Sequence, residues 1–262
     1  MKNSIFLKIS VAVTYLAMIT VNSLANIIPI NSLNTGQISD SYPNLFAPTG
    51  LTFSIWGLIY FLLAAYTLFQ FGLFQKDKGN KNQSLFQKIG LYFSLSSIAN
   101  IFWIFAWHYQ IISLSLVLML VILFFLIKIA NLLRQQSFSP KEAFFIKAPF
   151  SVYFGWITVA TIANVTTFLV SLNWNGFGLS PQIWMIIILL VGAGIGILRT
   201  LYDKNIFYGL VLIWAYFGIW LKHTSPLEFN FQYPLVINTV IFCLILFVIT
   251  NSLVLFKKTN KN

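Results

Sequence analysis

The sequence predicts an all-α fold, a polytopic transmembrane helix bundle of eight spans, and three observations carry that prediction. Of 262 residues, 58% are apolar and only 8% are charged, against roughly 25% charged in a soluble domain. The apolar residues are gathered into eight long runs, near 5–25, 50–74, 87–107, 111–133, 145–171, 181–199, 205–221 and 234–256. The charged residues lie between or at the ends of these runs, and nearly all the basic ones fall on alternate connections.

Each element follows from the properties of hydrocarbon as a solvent. A helix needs about 20 residues to cross it, and barrel strands would be short and alternating instead. Backbone groups in lipid must pair within their own segment, so long apolar runs become helices. Eight of them use up the chain and leave no room for a sizeable soluble catalytic domain. The single cysteine, Cys243, rules out an internal disulfide.

The formal net charge is +11. In a membrane protein this reflects topology, because basic residues collect on the cytoplasmic side; no nucleic-acid partner is implied. Lys2 and Lys8, Lys76, Lys78, Lys81 and Lys88, Lys128, Arg134, Lys141 and Lys147, Arg199 and Lys204, and Lys257, Lys258 and Lys261 all fall on one side. Lys222 alone falls on the other. The division places both termini in the cytoplasm of a multi-pass cell-membrane protein, with the basic rim facing membrane lipid. Residues 23–25, Ser-Leu-Ala, also fit a signal-peptide cleavage site after the first run. The segment that follows is external under either reading.

That segment, 26–49, carries Pro29, Pro43, Pro48 and Gly36, yet also Ile27, Ile28, Ile30, Leu33, Ile38, Tyr42, Leu45 and Phe46. Such a loop is too apolar for a solvated linker and is expected to pack over the outer helix ends.

Candidate chemistry is sparse. Asp40, Asp77, Glu142, Asp203 and Glu228 all fall in connections, so no carboxylate sits at mid-membrane, where coupled transporters keep one. His108 and His223 are both at helix ends, and His108 reads as an interfacial residue. No metal-ligand cluster, nucleophile–base set or phosphate-binding glycine loop is present. No catalytic residue and no cofactor is therefore expected.

Aromatic and amide side chains remain. Trp174, Trp184 and Trp220 flank external connections and read as interfacial belt residues. Trp56, Trp103, Trp107 and Trp156 lie inside spans, as do Asn100 and Asn164. Asn100, Trp103 and Trp107 share one helix face, and Trp56 and Tyr60 are one turn apart. Trp56, Asn100 and Asn164 sit roughly 10 Å below the outer interface at 1.5 Å per residue. An amide facing lipid there would be unpaired, so both asparagines are expected to face the interior. One reading is helix–helix hydrogen bonding; the other is a pocket for a flat apolar ligand, with indoles for stacking and amides for orientation.

The same residues carry a family resemblance. Pro43-Asn44-Leu45-Phe46-Ala47-Pro48, then Phe53-Ser54-Ile55-Trp56-Gly57-Leu58-Ile59-Tyr60, Asn100-Ile101-Phe102-Trp103, Pro149-Phe150, and Trp156 followed eight residues later by Asn164 resemble the tryptophan-rich sensory protein (TspO/MBR) family. That family includes the mitochondrial translocator protein, or peripheral benzodiazepine receptor. The resemblance implies a five-helix ligand-binding unit over 1–171, followed by three additional helices and a short basic tail over 172–262. It implies a ligand site at Trp56, Tyr60, Asn100, Trp103, Trp107, Trp156 and Asn164, with a lid including Tyr42, Pro43, Phe46 and Pro48. The implied ligands are a porphyrin, haem or a sterol-like molecule, and a homodimer is a further expectation. The glycine pair Gly192 and Gly196 suits close helix packing, within the chain or between two copies. The first functional reading is a receptor or sensor; a permease and a porphyrin-degrading enzyme are the alternatives.

The charge division makes one prediction. On a Cys243→Ser background, a cysteine at position 80 should resist membrane-impermeant thiol reagents in intact cells, and labelling there would overturn the topology.

Overall fold

The computed structural model describes residues 2–28, 30–74 and 83–259, with side chains over 5–28, 30–74 and 84–256. Pro29, Lys76, Asp77, Lys78, Lys81, position 80 and Lys261 lie outside the described residues, as do the side chains of Lys2, Lys257 and Lys258.

Ten α-helices follow in order among the described residues: α1 (Lys2–Ile27), α2 (Thr35–Asp40), α3 (Ile55–Gln70), α4 (Gln83–His108), α5 (Ile112–Arg134), α6 (Pro140–Glu142), α7 (Ala148–Ser171), α8 (Pro181–Asp203), α9 (Ile206–Thr224) and α10 (Pro234–Thr259). No strand occurs among the described residues. Among the described residues eight segments are long and apolar enough to cross a membrane: six are formed by α1, α4, α5, α8, α9 and α10, one is Gly50–Gln70, in which a 3-10 turn runs into α3, and one is Pro140–Ser171, in which α6 and the turn after it run into α7. The short α2 lies in the loop between the first two spans.

Local chemistry fixes the helix ends. Ser180 Oγ accepts from the Ile183 N–H, and Pro181 occupies the first turn of α8, where its missing N–H costs nothing. Asn34 and Gln37 form a reciprocal capping box at α2. Ahead of α7, residues Ala143–Lys147 take a π-turn. Pro149 supplies a physical reason: a proline ring collides with the carbonyl four residues back, here that of Phe145, inside the widened turn.

Helix α7 is the hub. It packs on α3, α5 and α9, and touches α8. From Ala148 to Val159 every residue is buried, the pattern of a helix enclosed on all sides. Around it, α4 packs between α1 and α5, while α10 packs on α8 and α9. Gly155 lets α7 and α9 approach, since a Cβ there would lie 2.9 Å from Val211 and 3.1 Å from the Tyr208 carbonyl.

The glycine pair of α8 is used inside the chain. A Cβ on Gly192 would meet the Tyr216 hydroxyl at 2.7 Å and Ile162 at 3.2 Å. One on Gly196 would run into Leu212 and lie 3.1 Å from Phe247.

At the end of the bundle away from α2, Asp203 is not in a connection, where the sequence reading put it. It is 5% exposed, in the last turn of α8. Arg199 donates to its Oδ2 at 2.6 Å and to Asn131 Oδ1 at 2.9 Å, and Arg134 lies 3.8 Å from its Oδ1. A buried carboxylate needs such partners, and the group also ties α8 to α5.

The packing predicts a contrast within one helix. Gly196→Val should cost about 1–3 kcal/mol by overpacking and lower the melting temperature in detergent. Gly194→Ala, with nothing within 4 Å of the added Cβ, should leave it unchanged or raise it.

Candidate functional site

At the α2 end of the bundle, the loop between α1 and α3 is folded down onto the helix ends. Ile38 is fully buried and Phe46 is 1% exposed. Burying a loop leaves its backbone groups needing partners, and ring N–H groups supply several of them. Trp107 Nε1 donates to the Thr35 carbonyl at 3.2 Å. His108 Nδ1 lies 3.1 Å from the Ile30 carbonyl, and His223 Nε2 lies 2.9 Å from the Leu45 carbonyl. A carbonyl only accepts, so each of these ring nitrogens carries the hydrogen. The Trp214 indole donates to the Thr52 carbonyl at 3.0 Å, in the turn that leads into α3.

His108, at the end of α4, is enclosed by protein. It is fully buried beneath the loop, with Nε2 3.2 Å from the Thr35 hydroxyl, and Asn31 donates to its carbonyl at 3.0 Å. The loop's other end is held by α9 and the connection after it. The Thr49 N–H donates to the Gly218 carbonyl at 3.2 Å, and the Thr49 hydroxyl donates to Glu228 Oε1 at 2.9 Å.

Beneath the loop lies a cavity of about 640 Å³. Tyr42, Pro43 and Phe46 of the loop line it, with Leu169 and Val170 of α7, Met185 and Ile188 of α8, and Phe229 and Tyr233 of the α9–α10 connection. Trp174 and Trp184 also line it; the belt reading did not anticipate this. Their rings are 4.8 Å apart, and Trp184 Nε1 donates to the Gly176 carbonyl at 2.7 Å, which fixes the indole. The charged lining residues are Asp40 and Lys222. The Lys222 ammonium lies 3.4 Å from Asp40 Oδ1 and 3.8 Å from Glu228 Oε2.

The intramembrane residues singled out in the sequence lie elsewhere. Trp56 stacks on Tyr60 at 5.5 Å and lies 6.3 Å from Trp103 and 6.2 Å from Trp156. Trp103 stacks on Trp107 at 6.0 Å. Asn100, fully buried, joins through Tyr153: it donates to that hydroxyl at 3.3 Å, and the Tyr153 ring is 6.1 Å from Trp56. Asn22 of α1 donates to Asn100 Oδ1 at 2.7 Å. Six of the seven thus form one cluster.

Asn164 is buried but separate, donating to Ser115 Oγ of α5 at 2.9 Å. Eight residues along a helix rotate a side chain by about 80° and advance it about 12 Å, which turns Asn164 away from the Trp156 side of α7. None of the seven lines the 640 Å³ cavity, and neither does Pro48. The cluster is close-packed, with Trp103 and Trp107 each 5% and Trp156 3% exposed. The indole N–H groups of Trp103 and Trp156 are buried with no hydrogen-bond partner, an uncommon condition for buried donors.

A family model described as TSPO-like protein matches residues 8–253. The chain belongs to the TSPO-like family. The match does not stop at residue 171 but runs through α8 and α9 and most of α10. No curated protein and no solved structure matches the chain. Among the described residues, no group of three His, Cys, Asp or Glu side chains could hold a metal ion.

Sequence reasoning missed Trp214, Phe229 and Tyr233, for which the chain carried no signal beyond residue type. Lys222 did carry one, as the single basic residue on the sparsely charged side.

The loop tethers predict a local effect. His108→Ala removes the ring bonds to Ile30 and Thr35, each worth on the order of 1 kcal/mol. Hydrogen exchange at the α2 amides should rise about tenfold or more, while exchange in the middle of α5 stays unchanged.

Proposed function

We propose that this TSPO-like membrane protein is a receptor or sensor that binds an apolar small molecule in the cavity beneath the loop. The cavity itself carries the reading. Its volume of about 640 Å³ falls within the range of small-molecule pockets, roughly 300–1,000 Å³. Its lining is mainly aromatic and aliphatic, with a few polar groups that would orient a ligand. The loop above it is tied to the helix ends by a small set of hydrogen bonds from Trp107, His108, His223 and Thr49, so it is the element that would lift to admit a ligand. On this reading the loop faces outward and both termini are cytoplasmic, in line with the distribution of basic residues.

The tetrapyrroles and sterols implied by the family resemblance are the first ligands to test. A permease would use the same cavity as one stage of passage. A porphyrin-degrading enzyme would need reactive groups at the ligand, and tryptophans are the candidates.

A second reading puts the ligand in the tryptophan cluster. It rests on the unpaired indole N–H groups of Trp103 and Trp156, which would donate to a ligand oxygen. Opening the cluster would require repacking rings that are already in contact.

Tryptophan quenching separates the two. Protoporphyrin, haem, a sterol and a single-chain amphiphile are titrated against the purified protein in detergent. Trp184→Phe should remove a measurable part of the quench, and deleting residues 31–41 should weaken binding at least fivefold. A quench that ignores both changes but is abolished by Trp103→Phe would move the site to the cluster.

A further inference from the structure

The charges at the cavity mouth define a head group. Among the described residues Lys222 is the only basic side chain lining the cavity, and its side chain is 13% exposed. It stands between two carboxylates, Asp40 at 3.4 Å and Glu228 at 3.8 Å. The three groups sum to one negative charge. A ligand with two carboxylates would bring four negative charges against one ammonium. A ligand with one anion and no cation would compete with carboxylates already in place. A simple cation would meet Lys222.

A zwitterion meets both signs. Beside Lys222, the rings of Phe229 and Tyr233 stand 5.5 Å apart at 80°, forming a corner against which the buried His223 ring packs, 4.7 Å from Phe229 and 5.8 Å from Tyr233, and the Lys222 ammonium already lies 5.9 Å from the centre of the Phe229 ring. Aromatic faces of this kind attract alkylammonium groups. Away from the charges, Leu169, Val170, Met185 and Ile188 give the cavity an apolar wall.

Building on the reading of this cavity as the ligand site, we propose that its ligand is an amphiphile with a zwitterionic head, such as a phosphate–alkylammonium pair, on a single apolar tail. The anionic group pairs with Lys222. The cationic group takes Asp40 and the Phe229–Tyr233 corner, and the tail lies along α7 and α8. Asp40 belongs to α2 and Lys222 to α9, so the head group bridges the loop and the helix that holds it down.

The test uses the full-length protein in maltoside micelles, whose sugar head is neutral. Amphiphiles of one brominated decyl tail with phosphocholine, phosphate, trimethylammonium or hydroxyl heads are titrated, and the tryptophan quench removed by Trp184→Phe is taken as the signal. Phosphocholine without a tail is added as a competitor, to separate head-group recognition alone from recognition of the whole amphiphile. The expected order puts the zwitterion at least fivefold tighter than the phosphate and hydroxyl amphiphiles, with no competition from free phosphocholine. Lys222→Gln should weaken the zwitterion about tenfold. Asp40→Asn, at an exposed position at the end of α2, should tighten the phosphate amphiphile severalfold and close the gap. Phosphate binding as tightly as the zwitterion in the unaltered protein, or a head-group order unmoved by Asp40→Asn, overturns the assignment of the head while leaving the cavity as a ligand site. Absence of any Trp184-dependent quench with all four tails overturns both.

Discussion

A buried loop must find partners for its backbone, and at the α2 end of this bundle that constraint organises everything above the helices. Ring N–H groups from Trp107, His108, His223 and Trp214 are aimed at the carbonyls of Thr35, Ile30, Leu45 and Thr52. A flat ring carries its donor at the rim, so it fills space and pairs a carbonyl at once. Without such donors the carbonyls would need water, and the loop would have to lift away from the helix ends. The roof of the cavity is thus a consequence of where these rings sit.

The donors come from both halves of the chain. Trp107 and His108 end α4, whereas Trp214 and His223 belong to α9. Thr49 is bonded to Gly218 and Glu228 as well. The loop that follows the first span is therefore held down by the seventh, and α7 packs between the helices on either side. This accords with a family match that runs to residue 253: the last three helices complete the same structure.

The two aromatic collections differ in their physical state. In the tryptophan cluster the rings contact one another, and the Asn22–Asn100–Tyr153 chain satisfies buried amides that lipid could not. Around the cavity, Trp174 and Trp184 are fixed by each other and by the Gly176 carbonyl, leaving space in front of them. Rigid walls around open volume favour binding, because little side-chain entropy remains to be lost when a ligand enters.

The sequence by itself determined the eight helices. Hydrocarbon imposes one length and one hydrogen-bonding solution on each apolar run, so the boundaries near 50, 112, 181 and 234 could be read directly. It also determined that Asn100 and Asn164 face inward, and that the apolar, proline-containing loop packs rather than floats. Only the tertiary structure decided which inward faces meet. Helix periodicity gives a residue's direction around its own axis but not the neighbour that axis will have. So Asn164 is found on Ser115 of α5 rather than in the cluster, His108 is buried by a loop that folds back over it, and Asp203 is drawn in between two arginines. The cavity had no counterpart in any local pattern. It is made by Asp40, Trp184 and Lys222, far apart in the chain, and it exists because the loop, α7, α8 and the α9–α10 connection leave space where they converge.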